Sequence, residues 1–185
     1  EEFDLKLLRI FDLEPKKEDL KDWIVWRERI HQLKTPIKIG IVGKYFGTGD
    51  FTLADSYISV VESLKFAAWA NNRRPELVWL DAEAYAKDSN GLEELKEYDG
   101  ILVPGGFGER GIEGMIKAIQ YCREQKIPFL GLCLGLQVAT IEFARNVCGM
   151  HRANSTEFNK TTPFPVISLL EEQKKIKGMG ATMRL

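Results

Sequence analysis

The sequence predicts an α/β fold: a three-layer sandwich in which a mostly parallel central sheet carries helices on both faces. Short apolar runs rich in β-branched residues recur at residues 37–42 (IKIGIV), 76–80 (ELVWL), 100–103 (GILV) and 127–132 (IPFLGL). Longer stretches with apolar residues at i, i+3 and i+4 separate them. Such alternation requires crossovers between parallel strands, and right-handed crossovers place helices on both sides of one sheet.

In chain order, residues 15–34 set Leu20, Trp23, Ile24, Arg27, Ile30 and Leu33 at helical spacing between Pro15 and Thr35-Pro36. They predict an amphipathic helix outside the main sheet. The first strand, 37–42, is followed by a helix over 55–70. The second, 76–80, leads to a patchier helical stretch around Leu92 and Leu95. Strand 100–103 precedes a helix over 111–125, and strand 127–132 precedes one over 134–147. Residues 165–170 could add a further strand.

At 185 residues and 44 % apolar composition, the chain is long enough for one sizeable core. Its 26 basic and 27 acidic residues are interspersed and give a net charge of −1, so no basic face for nucleic acid is expected and small-molecule partners are favoured. No window approaches the roughly 20 apolar residues of a spanning helix, and EEFDLKLLRIF does not resemble a secretory signal, so a cytoplasmic location without membrane contact is expected. Three cysteines without a CxxC pair predict neither a disulfide framework nor a metal site. Cys122 and Cys148 read as small apolar core residues.

Cys133 is different. IPFLGLCLGLQ reads as a strand, a tight turn and a helix, with Cys133 on the turn between Gly131 and Gly135. Flanking glycines let the backbone turn sharply and expose a nucleophile at the sheet edge, as in G-x-S-x-G elbows. The helix start that follows favours thiolate over thiol.

VPGGFGERG also lies between a strand and a helix, and Gly106, Gly108 and Gly111 fit G-x-G-x-x-G. A dinucleotide site needs an acidic residue about 20 positions on, where this chain has Leu132 and Cys133. The Walker pattern fails as well, because Tyr45 follows Gly43-Lys44. The loop is better suited to aiming backbone N–H groups at an oxyanion forming on Cys133, with one donor each from Gly106 and Leu134.

Together VPGGFGERG and GLCLGLQ resemble the oxyanion strand and nucleophile elbow of class I glutamine amidotransferases. GIVGKY, DSYISVVESL, IEFARNVCG, ANSTEF and TMRL narrow the likeness to the glutaminase half of the CTP synthase family, from about Ile37 to Leu185. The resemblance implies a flavodoxin-like amidotransferase domain over 36–185, incomplete at its C-terminus. It makes 1–35 a linker helix from an absent synthetase domain. Cys133 is then the nucleophile that forms a γ-glutamyl thioester and frees ammonia. Gly106 and Leu134 form the oxyanion hole; both of them, with Phe107, Gln137 and Glu157, bind L-glutamine, and Glu157 takes the substrate's α-ammonium.

The resemblance further implies a synthetase domain that aminates UTP with ATP and Mg²⁺, activation by GTP, and a homotetramer. No cofactor is expected in this segment itself. The family's His and Glu base pair is expected beyond Leu185, so the isolated chain is expected to be nearly inactive. His31 and His151 carry no chemistry in this reading. Two departures from the family stand out: Ala181 before TMRL, and an inserted-looking stretch over 46–52. The competing readings are a cysteine or thioester hydrolase of similar fold, and a non-catalytic amidotransferase-like binding module.

Overall fold

A computed structural model describes residues 3–14, 20–44, 47–48, 51–52 and 57–170. The elements run α1 (Phe3–Ile10), α2 (Lys21–His31), β1 (Pro36–Gly43), β2 (Gly47–Thr48), β3 (Phe51–Thr52), α3 (Ile58–Ala70), β4 (Arg74–Asp81) and α4 (Ala82–Lys87). A 3₁₀ segment (Ser89–Glu97), β5 (Gly100–Val103), α5 (Ile112–Gln125), β6 (Phe129–Gly131), α6 (Leu134–Asn146), β7 (Ala153–Ser155) and β8 (Phe164–Ile167) follow. Expectations for Pro15, Phe46, Gly49, Asp50, Asp55, Ala181 and the terminal TMRL lie outside the described residues.

The central sheet has the order β4-β1-β5-β6, and each neighbouring pair is parallel. Counted within the sheet alone, this is the 2-1-3-4 order of doubly wound, flavodoxin-like folds. Alternate strand residues serve opposite faces. Val42, Leu80, Ile101 and Val103 join Met115 and Ile119 of α5 and Leu134, Val138 and Ile141 of α6 in the larger core. Ile41 and Leu102 point the other way, toward Tyr57, Val60 and Leu64 at and within α3. Helices therefore cover both faces, as the alternation predicts.

The structure adds elements with little sequence signal. Neither α1 nor α4 was expected. Helix α4 is short and is capped by Asp81, whose carboxylate accepts the Glu83 N–H at 2.8 Å. The stretch around Leu92 is 3₁₀, burying Leu92 and Leu95 alone. The strand expected over 165–170 is β8, and it pairs with β7 outside the main sheet. Cys148, expected in the core, is exposed, because it lies past the end of α6.

Helix α2 leans on α3 through aromatic rings: Trp26 stacks on Phe66 and meets Trp69 edge-on, each at 5.4 Å between centroids. Helix α6 is tied to α5 by the buried Glu142, which accepts from the Arg123 guanidinium at 2.8 and 3.1 Å. Both anchors lie away from the loops that follow the strands.

Two buried acids make stability fall with alkali. Burial pushes the Cys122 thiol up to about 12. Burial, reinforced by the hydrogen bond its hydroxyl donates to Glu94 at 2.5 Å, holds the Tyr85 phenol well above its usual range. The unfolded chain releases these protons at about pH 8.5 and 10. Their contribution is therefore complete below about pH 8.5 and is lost as pH rises, by up to about 1.4 kcal/mol per pH unit per proton. The urea midpoint at pH 10.5 should lie below that at pH 8, and Cys122→Ala should narrow the gap.

Candidate active site

In a sheet of this order the chain reverses direction between β1 and β5, which opens a crevice beyond their carboxyl ends. Lys44 leaves β1 there, the glycine loop leaves β5, and Cys133 follows β6 on the adjoining strand. The pairing of Val103 with Gly131 continues with the Leu132 N–H donating to Val103 O at 2.9 Å, so Gly105 arrives beside Cys133. A Cβ built on Gly105 would lie 4.0 Å from the cysteine Sγ. The structure thus brings together the two motifs that the sequence pairs.

Cys133 is exposed and caps α6 with φ 51° and ψ −104°. Such a conformation costs a non-glycine residue about 1–3 kcal/mol and persists only where its surroundings impose it. They do so here, and this corrects the expected role of the flanking glycines. The left-handed residue is the cysteine itself, and neither Gly131 nor Gly135 is among the positive-φ glycines. The glycines are needed for close approach instead: a Cβ on Gly131 would meet the Gly135 backbone at 2.5 Å, and one on Gly135 would meet Val103 O at 2.1 Å. With the helix start pressed against β5, the side chain at position 133 is forced outward.

Leu134 is the first residue of α6, where a backbone N–H has no partner inside the helix. Gly106 and Phe107 follow Gly105 in the loop, and Phe107 is 55 % exposed. Gln137 lies one turn into α6, its N–H donating to Cys133 O at 3.2 Å.

Glu157 arrives from the turn after β7. That turn is fixed by the buried Ser155, whose hydroxyl accepts the Glu157 N–H at 3.1 Å, and by Arg145, which donates to Ala153 O at 2.7 Å. The Glu157 carboxylate then accepts the Gly108 N–H at 3.3 Å across 49 residues of sequence. His31 and His151 are both exposed, the latter beyond the far end of α6, about 20 Å along the helix from Cys133. Neither is brought to the thiol.

Three further residues shape the loop: Lys44, Tyr57 and Arg110. All three carried part of the resemblance, in GIVGKY, DSYISVVESL and VPGGFGERG, but no pattern gave any of the three side chains a role at the site. Tyr57 donates its hydroxyl to Gly105 O at 3.0 Å, and Lys44 donates its ammonium to Gly108 O at 2.6 Å. The Arg110 guanidinium donates to Lys44 O and pairs with Glu83 at 2.9 Å. Burial pulls the Lys44 pKa below its usual range, with Glu157 opposing and Arg110 adding to the shift. Their signal is tertiary: each partner lies far away in sequence.

Among the described residues, no three His, Cys, Asp or Glu side chains gather closely enough to hold a metal ion. No helix among them is long and apolar enough to cross a membrane.

Comparison with known proteins agrees with this geometry. The family model described as glutamine amidotransferase class-I matches residues 52–185. The CTP synthase of Desulfitobacterium hafniense (strain Y51) is 50 % identical over 179 residues, covering 97 % of this chain and 32 % of that protein. That of Methanococcoides burtonii is 53 % identical over 163 residues, covering 86 % and 30 %. The chain thus spans about a third of the length of the curated relatives it matches. The solved glutaminase domain of Trypanosoma brucei CTPS with bound acivicin superposes with a TM-score of 0.68 at 36 % identity, over 78 % of this chain and 53 % of that one. With its doubly wound sheet, its cysteine elbow and a family match that takes in the glycine loop, the elbow and the Glu157 turn, the chain belongs to the class I glutamine amidotransferases.

Proposed function

We propose that this chain carries the glutamine-hydrolysing site of a CTP synthase, with Cys133 as nucleophile. The observation that carries the reading is the outward-forced Cys133, at a helix start and beside the glycine loop. Its thiolate attacks the side-chain amide carbon of L-glutamine and forms a C–S bond. The N–H groups of Gly106 and Leu134 hold the oxyanion. The C–N bond then breaks, the amide nitrogen leaves as ammonia after taking up a proton, and water hydrolyses the γ-glutamyl thioester to glutamate.

Glu157 pairs with the α-ammonium of the substrate, Gln137 holds its polar end, and Phe107 lines the pocket. No histidine is placed to serve as base at Cys133, so the isolated 185-residue chain turns over glutamine slowly at best. Ammonia passes to a synthetase domain that aminates UTP with ATP and Mg²⁺, GTP activates the hydrolysis, and the protein works as a cytoplasmic homotetramer. The relatives' name, CTP synthase, and their extent beyond this chain support the synthetase part of this reading.

The test is alkylation of the full gene product by iodoacetamide, mapped by mass spectrometry. Glutamine should protect Cys133 and leave Cys148 unprotected. Glu157→Gln should raise the glutamine concentration giving half-protection by about 10-fold or more, the cost of a lost charge-assisted hydrogen bond. Protection mapped to Cys148, or none at all, overturns the assignment.

A further inference from the structure

The glycine loop contains a weak point that the fold has to correct. A peptide between two glycines has no Cβ on either side to oppose its rotation, so the Gly105–Gly106 plane can flip at little cost. Its N–H belongs to Gly106, and in a trans peptide the C=O and N–H point in opposite directions. Whatever holds the Gly105 carbonyl therefore also sets the direction of the Gly106 N–H.

The group that holds it is the hydroxyl of Tyr57, which donates to Gly105 O at 3.0 Å. Tyr57 is 8 % exposed and packs with Ile41 and Leu102 in the smaller core, its ring 6.3 Å from that of Trp79. A ring fixed in this way places its hydroxyl with little rotational freedom.

We infer that Tyr57 is a positioning residue for glutamine hydrolysis: its hydrogen bond holds the Gly105–Gly106 peptide in one orientation and so pre-aims the Gly106 N–H at the developing oxyanion. This rests on the proposed glutaminase reading. The rigid core behind Tyr57 makes the donor ready before the reaction begins, and such preorganisation is the source of oxyanion stabilisation. Lys44, donating to Gly108 O, steadies the far end of the same loop but not this peptide.

The experiment compares Tyr57→Phe with wild type in the full gene product. Glutamine hydrolysis should show kcat lowered about 10-fold with KM little changed. One neutral hydrogen bond is worth that much, and losing an oxyanion donor outright costs about 10²- to 10³-fold. Alkylation of Cys133 by iodoacetamide, a displacement that develops no oxyanion, should proceed at the wild-type rate. Trp79→Phe alters packing around the ring but leaves the hydroxyl in place, and it should retain kcat. An unchanged kcat in Tyr57→Phe, an equal loss in Trp79→Phe, or a parallel loss of alkylation each overturns the inference while the glutaminase reading stands. A wild-type protein that turns over no glutamine overturns that reading, and the inference falls with it.

Discussion

Cys133→Ser should abolish glutamine hydrolysis by the full gene product, lowering kcat by about 10⁴-fold or more, as losing a covalent nucleophile does elsewhere. The two side chains are nearly the same size, and the side chain at position 133 is exposed, so the fold has no reason to change. What changes is the attacking atom. Sulfur is intrinsically a strong nucleophile toward a carbonyl carbon, whereas a serine hydroxyl is a weak one and needs an adjacent base to attack an amide. The thermal midpoint should remain within about 1 °C of wild type, since an exposed substitution away from packing changes stability little. Cys148→Ser, at the other exposed thiol, should leave turnover intact. Comparable loss in both variants would remove Cys133 from its role.

Gly135→Ala should be the most damaging small substitution in the elbow. Its Cβ would lie 2.1 Å from Val103 O and 2.9 Å from Val103 C, both backbone atoms of β5. No rotamer relieves a clash between a Cβ and a strand carbonyl, so α6 must move off the sheet. That movement opens the packing of Leu134, Val138 and Ile141 in the larger core. A loss of about 3–5 kcal/mol, or failure to fold, is expected from overpacking of this severity. Gly91→Ala is the matched control: its Cβ would meet the Tyr85 ring at an ordinary 3.7 Å, and stability should change by less than about 1 kcal/mol. Denaturant melts of the two variants compare the effects directly. Equal stability would mean that the elbow does not depend on this approach.

The parallel sheet was legible because its strands are apolar on both faces and bounded by helical periodicity, a pattern few other folds produce. Helix α4 was not, being short and held by Asp81 and by contact with α5, where a Cβ on Gly114 would lie 1.7 Å from Ala82 O. Strand β7 is short as well, and its partner β8 lies beyond an intervening loop, so no local alternation announces it. The exposure of Cys148 was missed because a chain's position past a helix end sets burial there, not residue type.

By itself the sequence determined the class of the sheet, the turn on which Cys133 sits and the glycine loop preceding it, because period and glycine placement are local properties. Tertiary structure alone decided that Glu157 reaches Gly108, that Tyr57 and Lys44 hold the loop carbonyls, and that Gly131 and Gly135 serve close packing while Cys133 itself takes the positive φ. Each of these is a contact between segments far apart in the chain, or a steric demand that one segment places on another. Hydrogen bonds and excluded volume act through space, and no pattern along the chain records which surfaces folding brings together.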